Sequence, residues 1–141
     1  MKMNIRLENN PDLVREYDLD FGNVKVFSDY MVSSFKEGTT ITLERAYQLI
    51  GISEIHFRGK NFGYISYRYN SYAIDPTIYT YLRGLDNLKA FAIVSRKEID
   101  MHNFGIEKLF YKKNMEFFIE YKNALAWVKK KLGRNSLKKA N

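Results

Sequence analysis

The side chains able to do chemistry are few in this 141-residue chain, and they are scattered. There are two histidines, His56 and His102, and no cysteine. Without a thiol there is no disulfide, no thiolate metal site and no cysteine nucleophile. Neither His-x-x-x-His nor His-x-x-Glu-His spacing occurs, so nothing in the pattern points to a metal ion. His102 follows Ile99 by three residues in a helical repeat, which predicts a partly buried structural histidine. Glu16, Asp18 and Asp20 alternate along one strand face, a pattern that favours a solvated face over an acid–base or metal cluster. Gly59-Lys60-Asn61 is like the end of a phosphate loop but lacks the glycine five positions earlier and the Ser/Thr after the lysine. No Gly-x-Ser-x-Gly elbow and no Gly-x-Gly-x-x-Gly turn is present. No cofactor is implied, and the chain is expected to be non-enzymatic.

The densest stretch is "YISYRYNSYAIDP", residues 64–76, with four tyrosines, Arg68 and a turn-forming Asp-Pro. A nucleic-acid platform needs exposed aromatics inside a basic groove, and Arg68 is the stretch's one basic residue. The alternation instead predicts a strand over 64–69, with Ile65, Tyr67 and Tyr69 on one face and Tyr64, Ser66 and Arg68 on the other. Residues 70–74 then form a loop at the strand's C-terminal end, and Asp75 and Pro76 begin a helix as N-cap and first helical residue. Binding sites of α/β sheets gather at such strand ends, beside helix N-termini. Asn70, Ser71, Tyr72, Asp75 and Thr77 are therefore the candidate partner or ligand surface.

The net charge of +7 is local. Lys129, Lys130, Lys131, Arg134, Lys138 and Lys139 fall in the last thirteen residues with no acid among them; removing these six from the 23 basic residues leaves 17 against 16 acidic ones. A basic tail can attract polyanions in a salt-dependent way. It also suits a helix C-terminus, where cations oppose the dipole.

The elements that must position these residues read as follows. Residues 1–12 are polar and expected to be loosely held. Tyr17, Leu19 and Phe21 share a strand face, Gly22-Asn23 suits a hairpin turn, and strands over 24–27 and 30–35 meet at Ser28-Asp29. Leu43, Ala46, Tyr47 and Ile50 have helical spacing, with Thr40 or Thr42 as cap. Gly59 and Gly63 bracket a turn. The helix from Asp75 buries Ile78, Tyr79, Leu82 and Leu85, with Gly84 near its end. Ala90 to Val94 is a continuous apolar run, the sign of a strand covered on both faces. Ile99, Ile106, Leu109 and Phe110 mark a further helix, "MEFFIE" a strand, and Tyr121, Ala124, Leu125, Val128 and Leu132 the stripe of a last helix edged by Trp127. The order predicts one α/β domain over 13–132: a mixed sheet with an N-terminal antiparallel hairpin, then alternating helices and strands ending on a helix. Residues 133–141 form the basic tail. Neither a signal peptide nor an apolar run of membrane length is visible, so a soluble cytoplasmic protein is expected.

This layout resembles the STAS superfamily, and within it the small SpoIIAA-like (STAS/SEC14-like) bacterial proteins. The resemblance spans about 14–132 and rests on the opening hairpin, "FGYISYRYNSYAIDPTIYTYL", "LKAFAIVS" and the ending "EYKNALAWVKKKL". It implies a regulatory module that docks a protein partner through the loop near 70–77 and the helix after it. In classical antagonists the junction reads Asp-Ser-Ser-Gly, with a serine phosphorylated by a partner kinase. Asp75 matches, Thr77 takes the phosphoacceptor-like position, and Pro76 and Ile78 depart from the pattern. Two alternatives stand beside docking: binding of nucleic acid or another anionic surface through the tail, and carriage of an apolar ligand, suggested by 10 Phe and 11 Tyr. A homodimer is open to a domain of this size.

Overall fold

The computed structural model describes residues 10–70 and 72–133. Among the described residues the first three strands are β1 (Arg15–Leu19), β2 (Gly22–Val26) and β3 (Tyr30–Phe35), each antiparallel to the next. There follow β4 (Thr40–Ile41), α1 (Leu43–Phe57), β5 (Phe62–Tyr67), β6 (Ala73–Ile74), α2 (Ile78–Leu82), β7 (Leu88–Val94), α3 (Glu98–Tyr111), β8 (Met115–Phe118) and α4 (Tyr121–Lys131). Six strands make one mixed sheet in the order β1-β2-β3-β5-β7-β8, parallel from β3 onward. The expected α/β domain, with its hairpin and its alternation, is present. Each parallel strand lies beside its predecessor, so the sheet has no reversal of strand order at which a crevice would open by topology alone.

The apolar pattern sets the two faces. Val24, Val26, Met31, Phe62, Phe91 and Ile93 pack under α1, α2 and α3, which contribute Ile52, Phe57, Tyr79 and Tyr111. Val32, Ile65, Ala90, Ala92 and Val94 pack under α4 through Ala124 and Val128. The run Ala90–Val94 is buried throughout, because β7 lies inside the sheet with helices on both sides. The stripe of α4 is as its spacing predicts: Ala124 and Val128 are buried, and Tyr121, Leu125 and Leu132 are half-buried.

Several local expectations are corrected. The first hairpin turns at Asp20-Phe21, not at Gly22-Asn23, since Leu19 pairs with Gly22 and β2 already begins there. Phe21 is an apolar anchor beside Phe35, Ile41 and Ile78, and this places the turn one pair earlier. Gly63 is a strand residue, not a turn residue; a Cβ there would run into Val128 of α4. Gly59, with φ +71°, does lie in the turn after α1. Thr42 caps α1 by accepting from Arg45 N at 3.2 Å. The buried face of α1 is Ala46, Ile52, Ser53 and Phe57, while Tyr47 points outward against Tyr81. Stacking of Phe57 on Phe62, with ring centroids 4.6 Å apart, sets that rotation. The last two residues of the expected 70–74 loop, Ala73 and Ile74, pair in parallel with β4.

Tyr111 illustrates an imperfect core. Its ring is buried between Tyr79 and Phe91 and its hydroxyl has no hydrogen-bond partner among the described residues. Burial pushes the phenol well above its ordinary pKa. An unpaired buried hydroxyl is destabilising, so Tyr111→Phe should raise stability by about 1 kcal/mol. The check is a higher urea midpoint at unchanged m value.

Candidate functional site

The strand face carrying Tyr64, Ser66 and Arg68 faces inward, and a guanidinium there requires a partner. Glu107 of α3 supplies it. Arg68 Nη1 donates to Glu107 Oε2 at 2.9 Å and Nη2 to Glu107 Oε1 at 2.7 Å, a two-pronged pair whose side chains are 5% and 4% exposed. Arg68 Nε donates to Ser66 Oγ at 3.2 Å, and Nη2 also reaches Tyr79 OH at 3.3 Å. Tyr79 OH donates to Glu107 Oε1. Ser66 Oγ and Tyr72 OH lie 2.8 Å apart, and the Arg68 guanidinium lies 5.5 Å from the Tyr72 ring centre. Burial raises the pKa of Tyr72 and of Tyr79, so both phenols stay protonated. The network joins β5, the segment before α2, α2 itself and α3.

A cleft of about 290 Å³ opens beside this network, walled by Ile74, Pro76 and Ile106, with Asp100 and Asn103 across from Ala73. The neighbouring loop after β7 is fixed in turn. Ser95 Oγ donates to Asp100 Oδ2 at 2.6 Å and accepts from Lys97 N at 3.0 Å. Lys97 Nζ donates to Tyr69 O at 2.8 Å, tying that loop to the end of β5.

The candidate residues divide. Asn70 is half-buried and its Nδ2 donates to Phe35 O at 3.0 Å. Tyr72 packs edge-on against Phe35, with ring centroids 5.0 Å apart. Both anchor the segment to β3. Asp75 and Thr77 are exposed and bonded to each other: Asp75 Oδ1 accepts from Thr77 N at 3.0 Å and from Thr77 Oγ1 at 2.8 Å. These two bonds hold the Asp75 carboxyl below its ordinary pKa. Ser71 lies outside the described residues. The expected cradle of free N–H groups is not formed at the start of α2. Thr77 N is taken by Asp75, Ile78 N donates to Asp75 O, and Tyr79 N to Pro76 O. Asp75 therefore caps a turn leading into a helix of only five residues.

Arg68 and Glu107, the floor of the cleft, were not among the candidates. The signal for Arg68 was its place on an inward face. The signal for Glu107 was obscured, because the apolar spacing of α3 points the other way.

The remaining candidates are also placed. The predicted partly buried His102 is exposed on α3. His56 is the half-buried histidine, with Nε2 2.7 Å from Tyr17 OH. Burial, and then the charge of Arg15, lowers its pKa. Glu16 and Asp18 lie on an exposed edge, where both accept from Asn23 Nδ2 and Glu16 also pairs with Lys25. Lys129, Lys130 and Lys131 form the last turn of α4. Lys129 pairs with Asp29 at 3.0 Å and lies over the Tyr30 ring, while Lys131 lies over Trp127. Arg134, Lys138 and Lys139 are outside the described residues. Among the described residues no helix is long and apolar enough to cross a membrane. Comparison of the chain with protein-family models, with curated proteins and with solved structures gives no match.

Proposed function

We propose that this chain is a non-enzymatic docking module of the STAS, SpoIIAA-like type, seating a short segment of a protein partner between residues 72–76 and α3. The observation that carries this reading is the character of the cleft. Its lining mixes apolar Ile74, Pro76 and Ile106 with polar Asp100 and Asn103, and the charged pair at its floor is already satisfied within the protein. Such a surface offers shape with both apolar and polar contact, as a bound peptide segment requires. The hairpin followed by successive strand–helix units, and the strand–segment–helix junction at 67–78, support the STAS resemblance. Thr77 fits the same scheme as a modification point. Its hydroxyl is exposed, and a phosphate there would break its bond to Asp75 and set two anions side by side, loosening one wall.

The alternatives find less support. Of the tail residues, Lys129 is engaged by Asp29. For a carrier, the apolar cavity beneath α1 and α2 measures about 40 Å³, far below the roughly 300–1,000 Å³ of ligand pockets.

The test is a nuclease-treated pull-down from native extract with three baits: the intact chain, a chain ending at Leu132, and Ala73→Glu/Asn103→Arg, which fills the cleft from two exposed or half-exposed positions. A protein retained equally by the first two and reduced at least about tenfold with the third is the expected result. Retention that needs the tail and falls as salt rises would replace docking by an electrostatic anchor.

A further inference from the structure

Strand β1 ends the sheet on one side, and among the described residues no strand lies beyond it. The bonding of β2 decides which of its backbone groups are left open. Lys36 N donates to Phe21 O and Phe27 N to Tyr30 O, so the odd-numbered residues of β2 bond toward β3. Gly22, Val24 and Val26 therefore bond toward β1, to their partners Leu19, Tyr17 and Arg15. The N–H and C=O groups of Glu16 and Asp18 are then left pointing to the open edge, a template of the kind that folded domains cover. The two faces of this edge differ. Tyr17 and Leu19 are half-buried against the core under α1, whereas Glu16 and Asp18 are exposed on the other face.

The chain reaches β1 from that same edge. Leu13 N donates to Asn10 O at 3.1 Å and Asp12 N to Asn10 Oδ1 at 2.8 Å, a tight turn with Pro11 in its second position. Val14 N points to β2, where it donates to Val26 O at 2.8 Å, so Leu13 N and its acceptor Asn10 lie on the open side. Since Val26 is also the partner of Arg15, two residues of the first strand oppose one of the second, the pattern of a bulge. Residues 1–9, MKMNIRLEN, lie outside the described residues. In their sequence Met3, Ile5 and Leu7 alternate with Lys2, Asn4, Arg6 and Glu8, the period of a strand with one apolar face. Composition alone suggests a loosely held start; the order of the residues carries a different expectation.

We propose that residues 3–8 add to β1 as a seventh, antiparallel strand of the sheet. Counted back from the Asn10–Leu13 turn, with the bulge taking up one residue, Glu8 falls opposite Glu16, Leu7 opposite Tyr17, Arg6 opposite Asp18 and Ile5 opposite Leu19. The apolar residues of the segment then share the face of Tyr17 and Leu19. Without the bulge the register would slip by one and set Arg6 against Tyr17. On the polar face Arg6 meets Asp18 directly and Glu16 diagonally. Glu8 faces Glu16, whose charge Lys25 offsets from 3.2 Å. The occupant of the edge is thus this chain's own segment, and the inference does not depend on the docking reading.

Amide hydrogen exchange of the full chain, read residue by residue by nuclear magnetic resonance, tests it. Glu16 and Asp18 should exchange at least about a hundredfold more slowly than in an unstructured chain. Arg6→Pro removes the donor that faces Asp18 and should return both to nearly unstructured rates, while Tyr17 and Leu19, bonded to β2, stay protected. Arg6→Asp should cost about tenfold in protection, and Arg6→Asp/Asp18→Arg should restore it, which tests the register without proline. Rapid exchange of Glu16 and Asp18 in the wild type would overturn the proposal. So would protection that survives Arg6→Pro, a charge reversal that the double variant does not rescue, or protection that rises with protein concentration, the mark of edge-to-edge pairing with a second copy.

Discussion

Glu107→Ala is expected to lower the unfolding free energy by roughly 3–5 kcal/mol, because it leaves the Arg68 guanidinium buried with no counter-charge. The Arg68 side chain is only 5% accessible, and Tyr79 loses its acceptor at the same time. Removing the charge from both sides has a different result. Arg68→Met/Glu107→Leu keeps comparable volume and removes both desolvated ions, so its loss should be far smaller than that of either single change. Urea unfolding of the wild type, Arg68→Met, Glu107→Leu and the double variant completes the cycle. A loss below about 1 kcal/mol for Glu107→Ala would mean that the pair is hydrated in solution and does not lock α3 to β5. The double variant also separates stability from recognition. If it folds as well as the wild type and no longer docks its partner, the pair matters for the shape and polarity of the cleft floor. If docking survives, the walls suffice.

That floor shows where the sequence was legible and where it was not. Period-two alternation placed Arg68 on the same face as Tyr64 and Ser66, and the structure agrees. Continuous apolarity marked Ala90–Val94 as an interior strand, and the stripe Tyr121–Leu132 oriented α4 correctly. These signals are strong because burial on a sheet face tolerates few exceptions. The orientation of α3 failed for a definite reason. Helical spacing identifies an apolar face but not what covers it, and here the domain buries the opposite face through Glu107, Tyr111 and the half-buried Phe104. A carboxylate facing the core is written in the sequence only as one acid among several, and its partner lies 39 residues away. The same limit applied at Asp75. Asp-Pro marked a nearby helix, but Asp75 and Pro76 are not its N-cap and first residue: they form a turn before Thr77, the N-cap of a helix that begins at Ile78. The pairing of β6 with β4 rests on contacts from residues 39–41 that no local pattern encodes.

Gly22 tests the most consequential of the local corrections. As the first residue of a hairpin turn it would be there for its conformational freedom, and asparagine would be its best substitute. In the fold it is a strand residue paired with Phe35, and a Cβ would lie 2.6 Å from Ser34 O and 2.8 Å from Phe35 Cα. The obstruction is backbone within a sheet, which cannot rotate away as a side-chain tip can. Gly22→Ala should therefore lower stability by about 3 kcal/mol, at the upper end of overpacking losses, and Gly22→Asn by more. Gly51→Ala is the control: a Cβ on that exposed residue of α1 meets nothing within 4 Å, and alanine should add about 1 kcal/mol. The damage at Gly22 should reach the cleft as well. Phe35 holds the Tyr72 ring, and its carbonyl accepts from Asn70, so a displaced β3 end releases the segment that forms one wall. Under conditions where Gly22→Ala remains folded, partner retention should fall together with the urea midpoint. An asparagine variant more stable than the alanine one would return the glycine to the turn and free the cleft from this dependence.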